Sequence, residues 1–203
     1  MPGRCGRCGR SIRPDESITV SEVGQRCYSC FNEEMATQID VEFDNTVLQP
    51  IVLVDHDGVP RTFEIRSMLV PTGHEMLARE MSDREGGYRF AVLGDFDADA
   101  LELFERLYEK MRAEMSVRHI EHTEHGLRLT KGDELVGRIE WDDDTSGETP
   151  MLVVDGKAVS WDQFGRMLMT HEGFTLRARV EDSIEVVGGP LAAPRSRNRR
   201  RRK

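Results

Sequence analysis

Four cysteines near the start of the chain constrain its fold more than any other feature. Cys5 and Cys8 are separated by two residues, as are Cys27 and Cys30, and 18 residues lie between the two pairs. A two-residue spacer lets one tight turn present two sulfur atoms to the same ion, and zinc prefers four such ligands in a tetrahedron at about 2.3 Å. The spacing therefore predicts one zinc ion held by four thiolates. A closed shell leaves no position for a catalytic water, so this zinc is expected to be structural.

Disulfide bonds, unligated thiols and an iron–sulfur cluster are the alternatives for the same four residues. All the cysteines lie within the first 30 residues, and none occurs in the following 173. A secreted disulfide scaffold spreads its cysteines through the fold, whereas a reducing compartment favours metal binding for this pattern. The segment also has too few apolar residues to fold alone, so metal binding and folding are expected to be coupled.

Residues 5–36 resemble a treble-clef zinc finger. The run Cys5-Gly6-Arg7-Cys8-Gly9 is typical of a knuckle, the residues around Ile18 and Val20 of a hairpin, and the run from Cys27 of a helix start. The spacing is similar to that of the finger on the AAA+ unfoldase of the Clp protease system, and to GATA-type and LIM-type fingers. Those families use the module for adaptor binding and dimerisation, for reading DNA, or for docking proteins. Residues 40–187 loosely resemble an uncharacterised bacterial domain that follows such fingers.

The remainder of the chain predicts an α+β fold with a mostly antiparallel sheet and two main helices. Asp99 is expected to begin a helix over 100–115, and Ser160 a second helix that Gly173 ends. The segment 74–81 fits a strand or a short helix. Alternation of apolar and polar residues indicates strands near 46–54, 61–70, 88–92, 126–130, 135–141 and 174–180, with a hairpin turn at Asp155-Gly156.

Apolar periodicity also predicts the core. On the first helix the three- and four-residue spacing selects Leu101, Phe104, Leu107, Tyr108, Met111 and Met115. The second helix has a stripe of Trp161, Phe164, Leu168 and His171, and Trp141, Trp161, Phe164 and Phe174 are expected to be core residues. The chain is therefore divided into a finger over 1–38, an α+β domain over 39–187 that could split near 120–126, and a disordered tail over 188–203.

The tail carries a strong local charge. It ends in seven basic residues, Arg195, Arg197, Arg199, Arg200, Arg201, Arg202 and Lys203, whereas residues 1–194 contain 21 basic against 37 acidic residues, a net charge of −16. An acidic body repels nucleic acid, so polyanion binding would have to come from the tail. The tail could equally fold back on the acidic body or stay solvated. No apolar run is long enough to span a bilayer or act as a secretion signal, which predicts a cytoplasmic protein without a membrane partner.

Three weaker clusters could hold a metal ion. His119, His122 and His125 recur at three-residue spacing, which could form a transition-metal site but matches no established motif and is better interpreted as a solvated segment after a helix. The acidic run that begins at Asp142 opens like a calcium loop, but Val153 stands where that loop needs a bidentate acid. Asp95, Asp97 and Asp99 could bind magnesium, and are better explained as a strand end and helix cap.

The sequence predicts a non-enzymatic protein that uses a zinc finger to bind another protein. Residues 1–36 contain five arginines and five acids, whereas DNA-reading fingers need a surplus of basic residues. No nucleophile motif or phosphate-binding loop is present. Nucleic-acid binding through the finger and the arginine tail is the alternative. A metal-dependent enzyme that uses the histidine or aspartate cluster is a further alternative.

Overall fold

The computed structural model describes residues 3–13, 17–20, 24–45, 47–82, 86–124, 126–142, 145 and 147–187. The architecture is α+β, with three helices and mostly antiparallel strands, as the sequence predicts. Across these ranges no helix is both long and apolar enough to cross a membrane. The basic tail lies outside the described residues, so its predicted disorder stays a prediction.

The N-terminal unit, residues 3–39, consists of two small hairpins and a helix. β1 (Gly3–Arg4) pairs with β2 (Ser11–Ile12), and β3 (Ser17–Val20) pairs with β4 (Gly24–Cys27), both antiparallel. α1 (Tyr28–Ile39) follows directly, with Cys27 at its N-cap position. The knuckle, hairpin and helix start inferred from the sequence are all present.

A five-stranded sheet, here called the large sheet, forms the main core with one helix. Its strands in spatial order are β14 (Ile184–Val186), β8 (Arg89–Gly94), β7 (Gly73–Glu80), β6 (Pro60–Val70) and β5 (Ile51–Val54). All neighbours are antiparallel except β14, which lies parallel to β8. The ambiguous segment 74–81 is therefore strand β7. Alternate residues of β6 and β7 point to one buried face, as period two requires.

α2 (Ala100–Met115) covers that face of the large sheet and has the predicted bounds. The Asp99 carboxylate caps it by accepting hydrogen bonds from Leu101 N and Glu102 N at 2.9 and 3.0 Å. The predicted apolar stripe is partly wrong, because Leu103 is fully buried whereas Leu101 is 64% exposed. The buried residues of α2 are Leu103, Leu107, Met111 and Met115, at spacings of four residues.

A second, smaller core lies between a hairpin, a three-stranded sheet and a helix. The hairpin pairs β9 (Ile120–Thr123) with β10 (Gly126–Leu129). The small sheet has the order β11 (Arg138–Trp141), β12 (Pro150–Val154) and β13 (Lys157–Ser160). α3 (Trp161–Leu168) begins with the predicted capping box of Ser160 and Gln163. The core is formed by Ile120, Leu152, Val154, Val159 and Met167.

Several sequence-based expectations for the residues after α2 are wrong. The segment of His119, His122 and His125, interpreted from the sequence as solvated chain after a helix, contains strand β9. Residues 174–180 form no strand, and Phe174 is 78% exposed. Trp141 and Trp161 are also exposed rather than buried, while Phe164 does pack against the small core. The alternation in 174–180 is real, but no neighbouring strand is available within the described chain to cover its apolar side.

The two cores meet at a polar joint. Gly87 N donates a 3.0 Å hydrogen bond to Gly156 O. The Asp155 carboxylate is buried and accepts hydrogen bonds from His119 N and Ile120 N, both at 2.9 Å. Asp57, on the turn between β5 and β6, forms an ion pair with Arg118 of the other half. Directional bonds of this kind fix the relative position of two sheets more sharply than apolar contact alone.

Candidate metal centre

The four cysteines converge at one point of the N-terminal unit. Their sulfur atoms all lie within 4.8 Å of one another, and the Sγ atoms of Cys8 and Cys27 are 3.9 Å apart. Four sulfurs at about 2.3 Å from one tetrahedral ion would be about 3.8 Å apart. Cys5, Cys27 and Cys30 are buried and Cys8 is exposed. The sulfur positions thus fit a single metal ion near the surface of the unit.

The backbone around the first pair forms a tight knuckle. Cys5 N donates to Arg10 O, and Gly9 N donates to Cys5 O, both at 2.9 Å. Gly9 has a φ of +73°, a left-handed conformation that glycine adopts without steric cost. The hairpin is joined to this turn by Gly6 N, which donates to Gln25 O at 2.9 Å. Since β4 ends at Cys27, the second cysteine pair is brought to the knuckle by the same hairpin.

Hydrogen bonds at the metal centre favour the thiolate form of one of the four cysteines, Cys5. Burial disfavours the charged form of Cys5, but backbone N–H groups of Cys8, Cys27 and Arg7 donate to its sulfur. The net result lowers the pKa of Cys5 from 9.0 to about 6. At Cys30, burial and then the neighbouring cysteine side chains raise the pKa. Four crowded sulfurs without a cation cannot all ionise, whereas a divalent ion would stabilise the thiolates together.

Ion pairs tie α1 to the knuckle and hairpin. Arg7 lies 3.0 Å from a Glu33 carboxylate oxygen and donates to Cys30 O at 3.1 Å. The buried Arg26 Nε is 2.9 Å from Glu34 Oε1. Neither glutamate lies in the first turn of α1, where the helix dipole would favour an acid, so both stabilise the unit by pairing with the two arginines.

The helix of the N-terminal unit docks on an open edge of the large sheet. β5 pairs with residues 60–63 of β6, and no strand of the described chain pairs with the rest of that edge. Asn32, 2% exposed, fills this position: its amide donates to Ser67 O at 2.9 Å and accepts from Leu69 N at 3.0 Å. Asn45 adds a 3.1 Å bond to Ser29 O. The metal centre is thus linked through one helix to the main sheet.

Replacing Asn32 by alanine is expected to lower the free energy of unfolding by about 2–3 kcal/mol, because two buried backbone groups of β6 would lose their partner. Urea denaturation of the metal-loaded protein measures the change. Thr37→Ala is the matched control on the same helix, since Thr37 is exposed and bonds only within the helix at Glu33 O. It should change stability by no more than about 0.5 kcal/mol. Equal effects of the two substitutions would contradict the docking role of Asn32.

His74 lies on β7 next to this docking site. Its Nε2 is 2.6 Å from Ser67 Oγ, and its Nδ1 is 3.4 Å from Ala98 O. Burial lowers the pKa of His74 below 6.5, opposed in part by the hydrogen bond to Ala98. The unfolded chain therefore takes up a proton at a higher pH than the folded protein. Stability is full above the unfolded pKa of 6.5 and is lost as the pH falls below it.

The pH dependence of stability that His74 causes can be measured by comparing the wild type with His74→Gln. The free energy of unfolding of the wild type should fall more steeply between about pH 7.5 and 5.5 than that of the variant. Acid loss of the metal acts on both proteins, so the difference between their slopes isolates His74. Parallel pH profiles would contradict the assignment.

Residues of the three weaker clusters of potential metal ligands make other contacts in the structure. His119 Nδ1 lies 3.0 Å from Glu134 O, and His122 pairs with Leu127 in the β9–β10 hairpin. His125 lies outside the described residues, as do parts of the acidic run after Asp142, so neither proposed ligand set is complete here. Asp99 acts as the predicted helix cap. Within the described residues, the four cysteines are the group of three or more potential ligands that lies close enough for one ion.

Comparison with known protein families divides the chain in two. Residues 45–116 match the family model described as "Domain of unknown function (DUF7686)", and residues 119–185 match "Domain of unknown function (DUF7713)". No curated protein and no solved structure matches the chain. The first matched region contains β5 to β8 and α2, and the second begins beside the joint and ends within β14. The cysteine centre precedes both matched regions.

Proposed function

We propose that this chain is a non-enzymatic zinc-binding interaction protein in which a treble-clef finger docks a partner protein. The observation that carries the proposal is the convergence of four cysteine sulfurs within 4.8 Å of one another. Four thiolates complete the tetrahedron that zinc prefers and leave no coordination position open to substrate, so the metal would be structural. The order of knuckle, hairpin and helix supports the treble-clef assignment.

The exposed surface of the finger supports docking of a protein. Residues 6–11 of the knuckle are all exposed, whereas α1 of the same unit is partly covered by its contact with β6. The five arginines of residues 1–36 are balanced by five acids. Such a surface lacks the excess positive charge that binding to phosphates requires. We propose three units, a finger over 1–38, an α+β region over 39–187 and a basic tail, in a cytoplasmic protein whose thiols stay reduced.

Capture of partners from a lysate of the source cells tests this function. The full-length wild type, Cys27→Ser and Arg10→Ala are compared as baits, because the first substitution removes the finger fold and the second changes only an exposed knuckle residue. A partner of the finger should be lost with Cys27→Ser, and its affinity for the wild type and for Arg10→Ala should then be measured with purified components. If every captured protein survives Cys27→Ser, the finger is not the docking surface.

Nucleic-acid association is the second proposal, because seven of the last nine residues are basic. Six or seven phosphate contacts imply a slope of about −5 to −6 for log affinity against log salt on duplex DNA. Binding of RNA and DNA by the full chain is compared with that of a chain ending at Gly189. Absent or salt-insensitive binding by the full chain excludes this role. Binding that survives removal of the tail would show that residues outside the tail bind the nucleic acid.

A further inference from the structure

The outer strand of the small sheet has an uncovered apolar side. β11 pairs with β12 on one edge and with no strand on the other within the described chain. Ile139 faces the same side as its partner Leu152, which belongs to the small core. Nevertheless, Ile139 is 55% exposed and Trp141, two residues further along, is 67% exposed. The apolar face of the core therefore continues onto β11 and is left open there.

A groove beside this strand is already formed. It has a volume of about 350 Å³ and is lined by Ile139, Trp141, Pro150 and the turn residues next to them. The Trp141 ring lies so close to Gly147 that any side chain at that position would overlap it. The tryptophan is thus held against the turn rather than free in solvent, which lowers the entropy cost of binding to it.

A second feature of this half is the segment 172–183, which forms no strand. Phe174, Leu176 and Val180 are 78%, 63% and 80% exposed, and they alternate with polar residues in the pattern of a half-buried strand. Both ends of the segment are anchored, since Phe174 N donates to His171 O and β14 pairs with β8. Between these anchors the segment pairs with no strand in the described part of its own chain.

The side chains of residues 174–180 complement those of β11 on both faces of the sheet that the two segments would form. If the two paired, Leu176 and its apolar neighbours would lie beside Ile139 and Trp141 on one face. On the other face Arg177 and Arg179 would lie beside Glu140, which also pairs with Arg138 of its own strand. Residues 138–150 contain five acids and one arginine, whereas 174–180 contain two arginines and no acid. Cross-strand pairs of apolar residues and of opposite charges each stabilise a sheet.

We propose that two copies of this chain form a two-fold dimer in which residues 174–180 of each copy add as a strand to β11 of the other. Backbone hydrogen bonds would supply affinity, and the alternating side chains would set the register. Each copy offers both an open edge and an unpaired segment, so one symmetry operation satisfies both contacts twice and closes the assembly. The added strand would also cover the exposed edge of β11, which could otherwise pair with other chains and cause aggregation.

Light scattering after size-exclusion chromatography tests the dimer with the full, metal-loaded chain. We expect the wild type to have the mass of two chains at micromolar concentration, and Leu176→Asp and Trp141→Asp each to have the mass of one. Leu101→Asp is the matched control, because Leu101 is 64% exposed on α2 and is not part of the proposed surface. It should remain dimeric. A monomeric wild type, or a dimer that survives either of the first two substitutions, overturns the proposal.

Hydrogen exchange gives a readout that does not depend on a substitution. Amides of residues 174–180 and of β11 should be protected in a concentration-dependent manner, more than about tenfold between dilute and concentrated wild type. Amides of β6 in the large sheet should show no such dependence. Protection of 174–180 that is absent at every concentration overturns the proposal, as does protection that is the same at all concentrations.

Discussion

Replacing Cys27 by serine is expected to remove the metal and to unfold the N-terminal unit while both sheets stay folded. Cys27 is both one of the four converging cysteines and the N-cap residue of α1, so its loss affects the hairpin and the helix together. Among the described residues of this unit, the buried apolar side chains form one small cluster, Cys5, Ile12, Cys27 and Cys30, separate from the other two cores. Structural zinc contributes about 10–16 kcal/mol of apparent binding energy in finger peptides. So small a cluster cannot replace it.

Two measurements check this result. Elemental analysis should find one zinc per wild-type chain and less than about 0.1 per Cys27→Ser chain. Hydrogen exchange should show loss of protection in α1, with β7 and α2 still protected. The control is His119→Ala with His122→Ala, which should retain one zinc. A wild type that is metal-free yet protected in α1, or cysteines found linked in pairs, would contradict the zinc assignment.

Replacing Arg61 by methionine is expected to destabilise the protein by about 3–5 kcal/mol, because it leaves two buried carboxylates without their positively charged partner. Arg61 Nη2 lies 2.8 Å from Asp55 Oδ2, and Nη1 lies 3.0 Å from Glu80 Oε1. The side chains of Asp55 and Glu80 are only 1% and 5% exposed. Their remaining oxygens hold backbone N–H groups of Val59 and Tyr88, so the arginine supports the joint between the two cores.

Thermal and urea denaturation measure this loss. Arg106→Met is the matched control, since Arg106 pairs with Glu185 on the surface and should cost less than about 1 kcal/mol. Adding Glu80→Gln to Arg61→Met should recover part of the stability, because it removes one of the stranded charges. If Arg61→Met proves no worse than Arg106→Met, the buried triad does not stabilise the fold.

Local sequence signals predicted the elements whose cause is local. The capping residues Asp99 and Ser160 begin their helices as expected, and the turn at Asp155-Gly156 joins β12 to β13. The metal centre was also predictable, because cysteine spacing alone limits which sulfurs can reach one ion. Its docking through Asn32 was not, since one buried amide that satisfies a distant strand edge leaves no periodic pattern in the sequence.

Errors arose where burial depends on distant parts of the chain. Trp141 and Phe174 were expected in the core because large aromatic side chains usually gain most from burial. The structure places them on an outer strand and on an unpaired segment, where no other part of the described chain covers them. Leu101 and Leu103 fit helical stripes almost equally well, and only the packing of α2 on the large sheet shows that Leu103 is the buried one.

The sequence by itself determined the α+β class, the helix starts and the four cysteines that converge, because each depends on spacing or capping within a few residues. The tertiary structure alone decided how these parts are joined: Asn32 on the edge of β6, Asp155 at the joint and Arg61 between two buried acids. These contacts link residues 35 or more positions apart in two of the three cases. They depend on which strand edges and buried charges the folded chain leaves unsatisfied, and no local pattern records that.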